Sequence, residues 1–347
     1  MTSAPSLVDQ RSRPLGVLRL SLTGRCNLAC PYCCPDAEDP AGLLSLEEQL
    51  QLIQVACHLG AHTLRLTGGE PLLSSRLLPL LQRVNHGRSV QAQPWVGLRE
   101  VALTSNGVLL NRQRAEALRA AGLDRITISL DAIHGAVAAR MAGLRGGAAA
   151  GEQLVQQVFS GLAAARSAGF DPATGALKLN AVIRRDINDD QLLPLADLAR
   201  QQGMELRLIE YMDVGNRNGW RPGQVVPAEE MVRRISAQWP LQREGREPGG
   251  TAQRWSYSDG AGRIGVIASI TQPFCGDCNR LRVTADGQAF TCLFAAQGLD
   301  LRPVLHNAGE LEQTLRGLWH QRRDRYSEER QARSAAPVHA EMAYLGG

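Results

Sequence analysis

The sequence predicts an α/β fold: an incomplete six-unit (βα) barrel followed by a smaller C-terminal lobe. Three observations carry that expectation. Short leucine-rich or β-branched runs alternate with amphipathic helical stretches. The runs recur every roughly 20 to 45 residues, a spacing that suits βαβ units and a parallel sheet. Polar residues gather where the runs end, and in a barrel those carboxyl ends form the active mouth.

The first run, VLRLSLT from Val17, leads into the cysteine-rich stretch GRCNLACPYCCPD at 24–36. Ser45 and Glu48 then stand as a capping box at the start of a helix. TLRLTGG from Thr63 is the second strand, ending in TGGEP at 67–71, and REVALTSNG from Arg99 the third, ending in TSN at 104–106. Asn111 precedes a helix that closes at Gly122. RITISLDA from Arg125 is the fourth strand, with SLD at 129–131, and the helix after it closes at Gly169. ALKLNAVI from Ala176 is the fifth, presenting Lys178 and Asn180, and ELRLIEYM from Glu205 the sixth, ending in EYM at 210–212. Six units fall short of the eight that close a barrel, so the barrel is open; a doubly wound sheet is the alternative.

Beyond Asp213 the texture shifts to Gly, Trp and Pro, with a strand-like GRIGVIASI and a hairpin turning at Asp286 and Gly287. A last helix near 308–323 precedes an Ala- and Arg-rich tail ending in Gly346 and Gly347. The expected division is a barrel at 14–212, a second lobe at 213–330 and a flexible tail at 331–347.

The 347 residues suffice for one large domain with an appendage or for two ordinary domains. Hydrophobic residues make up 44% and charged residues 21%, and no apolar run reaches the roughly 18 residues of a membrane helix. The first residues lack the apolar core of a signal peptide, which points to a reducing cytoplasm without disulfides and to no membrane partner. A formal charge of +4 argues against a stable nucleic-acid partner and is accounted for by one anionic ligand. Of the 38 basic residues, 37 are arginine; the exception is Lys178.

Cys26, Cys30 and Cys33 form C-x3-C-x2-C, and Cys275, Cys278 and Cys292 form C-x2-C-x13-C. A bare C-x2-C is as compatible with a zinc or redox site as with anything else. Structural zinc takes four ligands, however, and neither set contains a histidine. Three thiolates instead suit a 4Fe-4S cube, leaving one iron open to another ligand. By this reading Cys34 and Cys57 are spare. The chain also lacks a G-x4-G-K-[ST] loop, so any triphosphate must be gripped by side chains.

The first cysteine set, with Tyr32 before its third member and GGEP after the second strand, resembles the signature of the radical S-adenosylmethionine (SAM) enzymes. Within them, LRLSLTGRCNLACPYC, RLTGGEPLL, LTSNG, ISLDA, KLNAVI, IEYMDVGNRNGW, FCGDCNRLRVTADGQAFTCLF and the terminal Gly-Gly are similar, in order from about Leu18 to the last residue, to the GTP 3',8-cyclase family of molybdenum cofactor biosynthesis. The resemblance implies two 4Fe-4S clusters, held by Cys26, Cys30 and Cys33 and by Cys275, Cys278 and Cys292. It implies SAM contacts at Tyr32, Gly69, Ser129 and Met212, and GTP contacts at Arg19, Arg65, Thr104, Lys178, Arg280 and Arg282, with Arg207 near the same anion. The implied reaction takes hydrogen from C3' of GTP and joins C3' to C8 of guanine, giving 3',8-cyclo-7,8-dihydro-GTP. The implied partners are an electron donor protein and a downstream cyclic pyranopterin monophosphate synthase, the enzyme acting as monomer or homodimer.

Three features depart from the family pattern: Gly24 where Asp is usual, Cys34 where Met or Leu is usual, and the ending MAYLGG. Singly, the site residues have plainer readings. Glu70, Ser129 and Thr104 suit ordinary strand ends, Met212 suits core filling, and Arg280 with Arg282 suits a solvated strand face. Two other functions stand beside the cyclase, a peptide-modifying radical SAM enzyme with an auxiliary cluster and a non-enzymatic iron-sulfur sensor that binds nucleic acid. Reductive SAM cleavage separates the sensor from the enzymes, and GTP dependence separates the enzymes from each other.

Overall fold

A computed structural model describes residues 7–91, 93–330 and 339–346. Strands β1 (Val17–Ser21), β2 (Thr63–Thr67), β3 (Glu100–Ser105), β4 (Arg125–Ser129), β5 (Leu177–Ile183) and β6 (Glu205–Glu210) pair in parallel in chain order. Helices α1 (Leu46–His58), α2 (Leu77–Ser89), α3 (Arg112–Ala120), α4 (Gly135–Ala142), α5 (Gly147–Ser167) and α6 (Leu192–Gln201) lie in the connections. One side of each strand is apolar and buried, as with Leu18 and Leu20, Leu64 and Leu66, Ile126 and Ile128, and Leu206 and Leu208. The alternate positions, including Arg19, Arg65, Thr127, Lys178 and Arg207, occupy the opposite side, as the pleat requires.

The C-terminal strands do not form a separate sheet. After α7 (Ala228–Gln238) come β7 (Leu241–Gly245), β8 (Gln253–Tyr257) and β9 (Arg263–Ile267); β9 pairs in parallel with β6, and β8 and β7 follow outward as antiparallel neighbours. The chain then crosses to the other edge, where β10 (Arg280–Val283) pairs in parallel with β1 and leads to β11 (Gln288–Phe290) and β12 (Leu299–Asp300). One twelve-stranded sheet results, and both edges of the six-strand unit are covered. The helices α8 (Ala308–His320) and α9 (Tyr326–Glu329) complete the order.

The crossing segment 268–279 carries Cys275 and Cys278, so its anchoring matters. Glu210, the last residue of β6 and fully buried, accepts hydrogen bonds from the amides of Ala228, Ile270 and Thr271 and from the Thr271 hydroxyl. A carboxylate with four donors satisfies its own desolvation and fixes where the crossing begins.

The end of the chain differs from the flexible tail expected from sequence. Met342, Ala343 and Leu345 are buried. The rest of the expected tail, 331–338 and Gly347, lies outside the described residues. Among the described residues no helix is long and apolar enough to cross a membrane.

Candidate active site

At the carboxyl ends of the barrel strands lies a cavity of roughly 310 Å³, and all six cysteines of the two sets line it. Cys26, Cys30 and Cys33 follow β1, Cys275 and Cys278 lie on the crossing segment, and Cys292 follows β11. The first set sits on a tight turn in which the amides of Cys33 and Cys34 both donate to the Cys30 carbonyl, at 3.0 and 2.9 Å. Cys34 does not line the cavity; it sits at φ 52° with its Sγ 3.2 Å from the Pro31 carbonyl oxygen. Where Gly24 leaves the loop without a carboxylate of its own, Asp39 accepts from the Thr23 hydroxyl and the Gly24 amide at 2.5 and 2.7 Å.

The donor set fits iron-sulfur clusters. Hydrogen bonds already reach three of the sulfurs, as is usual for cluster thiolates. Leu28 N–H (3.4 Å) and Asn106 Nδ2 (3.7 Å) donate to Cys26, Arg322 Nη2 (3.1 Å) to Cys278, and Phe294 N–H (3.5 Å) to Cys292. Burial pushes the Cys33 and Cys292 thiols up to about 12. At Cys278 burial acts the same way, but Arg280 and Arg322 outweigh it and bring the thiol down to about 7. Among the described residues no three His, Cys, Asp or Glu side chains converge on a point that would hold a single metal ion. A four-iron cube, by contrast, takes its thiolates at separate corners.

Around the first set, Tyr32, Gly69, Ser129 and Met212 all line the cavity. The Tyr32 hydroxyl donates to Asp131 Oδ2 at 2.7 Å, and Asp131 Oδ1 accepts the Val182 amide at 2.8 Å, tying the cysteine loop to the ends of β4 and β5. Burial raises the Asp131 carboxyl to about 6 despite these bonds. Gly69 passes so close to the cysteine loop that a Cβ would stand 2.2 Å from the Arg25 carbonyl oxygen. Glu70 is no ordinary loop carboxylate. It is 1% exposed and accepts from Ser105 Oγ and the amides of Leu72 and Asn106, joining the ends of β2 and β3.

The floor beside the cysteines is cationic. Arg282 on β10, Arg19 on β1 and Arg65 on β2 are register partners, so three guanidiniums stand in one row across three adjacent strands. Arg19, Arg280 and Arg282 are buried, the last two at 8% and 7% exposure, so this is no solvated face. Like charges placed side by side are destabilising. Burial and then the neighbouring guanidiniums hold Arg19 and Arg65 well below the usual arginine range, and bring Arg282 down to about 10. A negative charge set beside the row would relieve that repulsion. Arg65 is oriented by Thr104, whose Oγ1 accepts from its Nε and Nη2 at 3.0 and 2.8 Å.

Two expected residues stand apart. Lys178 and Arg207 do not line the cavity; both bind Glu205, Lys178 Nζ at 2.7 Å and Arg207 Nε at 2.6 Å. Lys178 is the second residue of β5 and so lies near the amino end of the strand, not at the mouth where the sequence placed it. Sequence reasoning passed over Asp131, Asn106, Arg322 and Arg13. Asp131 and Asn106 lie inside motifs already quoted, whereas nothing in sequence marks Arg13, whose Nη1 donates to the carbonyls of Cys275 and Asp324 at 2.8 Å.

Comparison with known proteins agrees with this arrangement. The Radical SAM superfamily model matches residues 20–199, and the Molybdenum Cofactor Synthesis C model matches 204–328. The chain is 70% identical over 347 residues to the GTP 3',8-cyclase of Synechococcus sp. (strain WH7803), covering all of both chains. The chain belongs to the GTP 3',8-cyclase family. A more distant member, from Xanthomonas campestris pv. campestris (strain B100), is 45% identical across 99% of this chain and 98% of its own. Among solved structures, Streptococcus suis SuiB bound to precursor peptide SuiA is similar with a TM-score of 0.62 over 93% of this chain and 69% of that chain; at 12% identity this shows the fold alone.

In this GTP 3',8-cyclase family member the C-terminal segment enters the cationic floor. The Gly346 carbonyl accepts from Arg19 Nη2 at 2.6 Å and from the Thr67 hydroxyl at 2.8 Å. Gly346 has φ +73°, and a Cβ there would lie 2.5 Å from Thr67 Cγ2. Left-handed backbone costs a residue with a Cβ on the order of 1 kcal/mol. Gly346→Ala should therefore weaken kcat/KM for GTP about fivefold, with GTP-independent SAM cleavage unchanged. Wild-type kcat/KM in that variant would show that the segment's seat is irrelevant to turnover.

Proposed function

We propose that this protein converts GTP to 3',8-cyclo-7,8-dihydro-GTP, the first step of molybdenum cofactor biosynthesis. The observation that carries the reading is the placement of two three-cysteine sets and a row of three arginines on one cavity. Cys26, Cys30 and Cys33 would hold one 4Fe-4S cluster, with Tyr32, Gly69, Ser129 and Met212 placed beside it to contact SAM. Cys275, Cys278 and Cys292 hold the second. With clusters and SAM bound, the site supplies a carbon-centred radical able to remove hydrogen from a ribose carbon. The chain's own residues do the rest. Arg19, Arg65, Arg280 and Arg282 offer the phosphates charge-assisted bonds, Thr104 keeps Arg65 aimed, and Lys178 with Arg207 extends the cationic field below the cavity. Pinning the nucleotide at its phosphates leaves the ribose with fewer orientations, which is what an intramolecular ring closure needs. Exclusion of water from the site strengthens each of those charge-assisted bonds. The same reading includes an electron donor protein, a cyclic pyranopterin monophosphate synthase that takes the product, and a cytoplasmic monomer or homodimer.

The test is anaerobic incubation of the iron-loaded protein with SAM, dithionite and GTP. The expected result is 5'-deoxyadenosine formed in step with a product isomeric with GTP. SAM cleavage without any GTP-derived product would overturn the assignment.

A further inference from the structure

The stretch DVGNRN at 213–218 belongs to the motif that identified the family, yet among these residues none lines the cavity. Its contacts instead run to the C-terminal segment. Asn216 pairs with the backbone of His339 in both directions, its Nδ2 donating to the carbonyl at 2.6 Å and its Oδ1 accepting the amide at 3.1 Å. The Asn216 amide donates to Glu341 Oε1 at 2.9 Å, and Arg217 Nε lies 3.4 Å from the same oxygen. Gly215, at φ +82°, leaves the Glu341 carboxylate its room: a Cβ there would stand 2.3 Å from Oε2.

The same loop reaches the first cysteine turn. Arg217 donates to the Cys34 carbonyl at 2.7 Å and to Asp36 at 2.9 Å. On its other side the segment reaches the second set, where the His339 ring contacts the Phe294 carbonyl at 2.6 Å and the Ala340 amide donates to Ala295 at 3.1 Å. Phe294 and Ala295 lie two and three residues after Cys292.

We propose that residues 213–218 are the receptor of the C-terminal strap, and that Asn216 and Arg217 are positioning residues which set where Gly346 meets Arg19 and lock the first cysteine turn to the strap. The inference rests on the GTP cyclase reading for its effect on turnover, but the docking itself does not. Both side chains are exposed, so truncating them leaves the core intact. The strap, once unclamped at this end, retains the His339 ring contact with Phe294 and the bond that the Tyr344 hydroxyl donates to Asp286 at 2.9 Å, samples undocked states more often, and leaves the arginine row without a fixed partner.

Hydrogen exchange, followed by mass spectrometry on the anaerobic iron-loaded full chain, reads docking without reference to activity. In Asn216→Ala and Arg217→Ala, the amides of Ala340, Leu345 and Gly346 should exchange at least about tenfold faster than in wild type, while barrel peptides are unchanged. The paired kinetic measurement should show KM for GTP raised about fivefold or more, with iron content and GTP-independent SAM cleavage at wild-type levels. Arg263→Ala, an exposed arginine on β9, is the control and should alter neither. Wild-type exchange of the strap in both variants would overturn the docking. Faster exchange with an unchanged KM for GTP would overturn the positioning role. A wild-type protein that fails to cyclise GTP would refute the cyclase reading and leave the exchange result standing.

Discussion

Cys30→Ala should neither cleave SAM nor cyclise GTP, whereas Cys292→Ala should still cleave SAM reductively and form no cyclic product. The two outcomes differ because the two thiols line the same cavity from different elements: Cys30 on the turn after β1, Cys292 after β11. Each set offers three thiolates to a cube of four irons, so losing any one of them would leave the cluster too few ligands to be held in working form. Wild-type protein should carry about eight irons, two cubes of four, and Cys26→Ala or Cys278→Ala about four. Cys34→Ala and Cys57→Ala should keep the wild-type iron content. The geometry gives each exemption a separate reason: Cys34 turns toward Pro31 and off the cavity, and Cys57 is buried in α1, where burial pushes its thiol up to about 12. Loss of a whole cluster in Cys34→Ala would refute the ligand assignment, and cyclisation by Cys292→Ala would remove the second cluster from the reaction.

Much of this arrangement is legible in sequence for an identifiable reason. Strands buried on both faces leave leucine-rich runs, as in Leu18 and Leu20 or Leu206 and Leu208, and such runs are visible without a structure. The capping box is equally local: Ser45 accepts the Glu48 amide and Glu48 accepts the Ser45 amide, at 3.3 and 2.7 Å. What sequence hides is pairing between distant segments. Arg19 and Arg65 each look like one arginine in an apolar run, and only the registry with β10 makes the row of three. The strand β7 went unrecognised because LQREG is a largely exposed edge with no apolar period. Arg13 and Arg322 act on cysteines far along the chain, through bonds to Cys275 and Cys278 that no local pattern announces. The packed tail was missed for the same reason, since a Gly-Gly end reads as frayed until Arg19 and Thr67 are placed beside it.

Replacing Lys178 by either arginine or alanine should weaken GTP binding or cyclisation at least about tenfold, with iron content and GTP-independent SAM cleavage unchanged. A chain with 37 arginines uses arginine wherever any long cation serves, so its one lysine marks a place where a guanidinium does not fit. The surroundings show why. Lys178 is 7% exposed, and its Nζ meets Glu205 Oε2 at 2.7 Å while Arg207 takes Oε1 at 2.6 Å. A Cβ on Gly175 would come within 3.3 Å of the Lys178 Cε, so the side chain has little lateral room. A planar fork there would have to displace Arg207 from the carboxylate or push against the Gly175 loop. Lys178 does not line the cavity, so the effect travels through Glu205. Unpairing or crowding that buried carboxylate costs on the order of 3 to 5 kcal/mol. About 1.4 kcal/mol of it, passed through Arg207 to the arginine row, gives the tenfold floor. The ammonium also predicts a pH limb. Burial first, and then Arg207, lower its pKa to about 8 against the opposing pull of Glu205. The protonated form holds Glu205 and adds to the positive field beneath the arginine row and the neutral form does neither, so kcat/KM for GTP should fall as pH rises through about 8 in wild type. In Lys178→Arg that limb should vanish, because a guanidinium stays charged, while activity remains low at every pH. Wild-type kcat/KM in Lys178→Arg, with the alkaline limb intact, would show that Lys178 neither supports the arginine row nor governs the pH dependence.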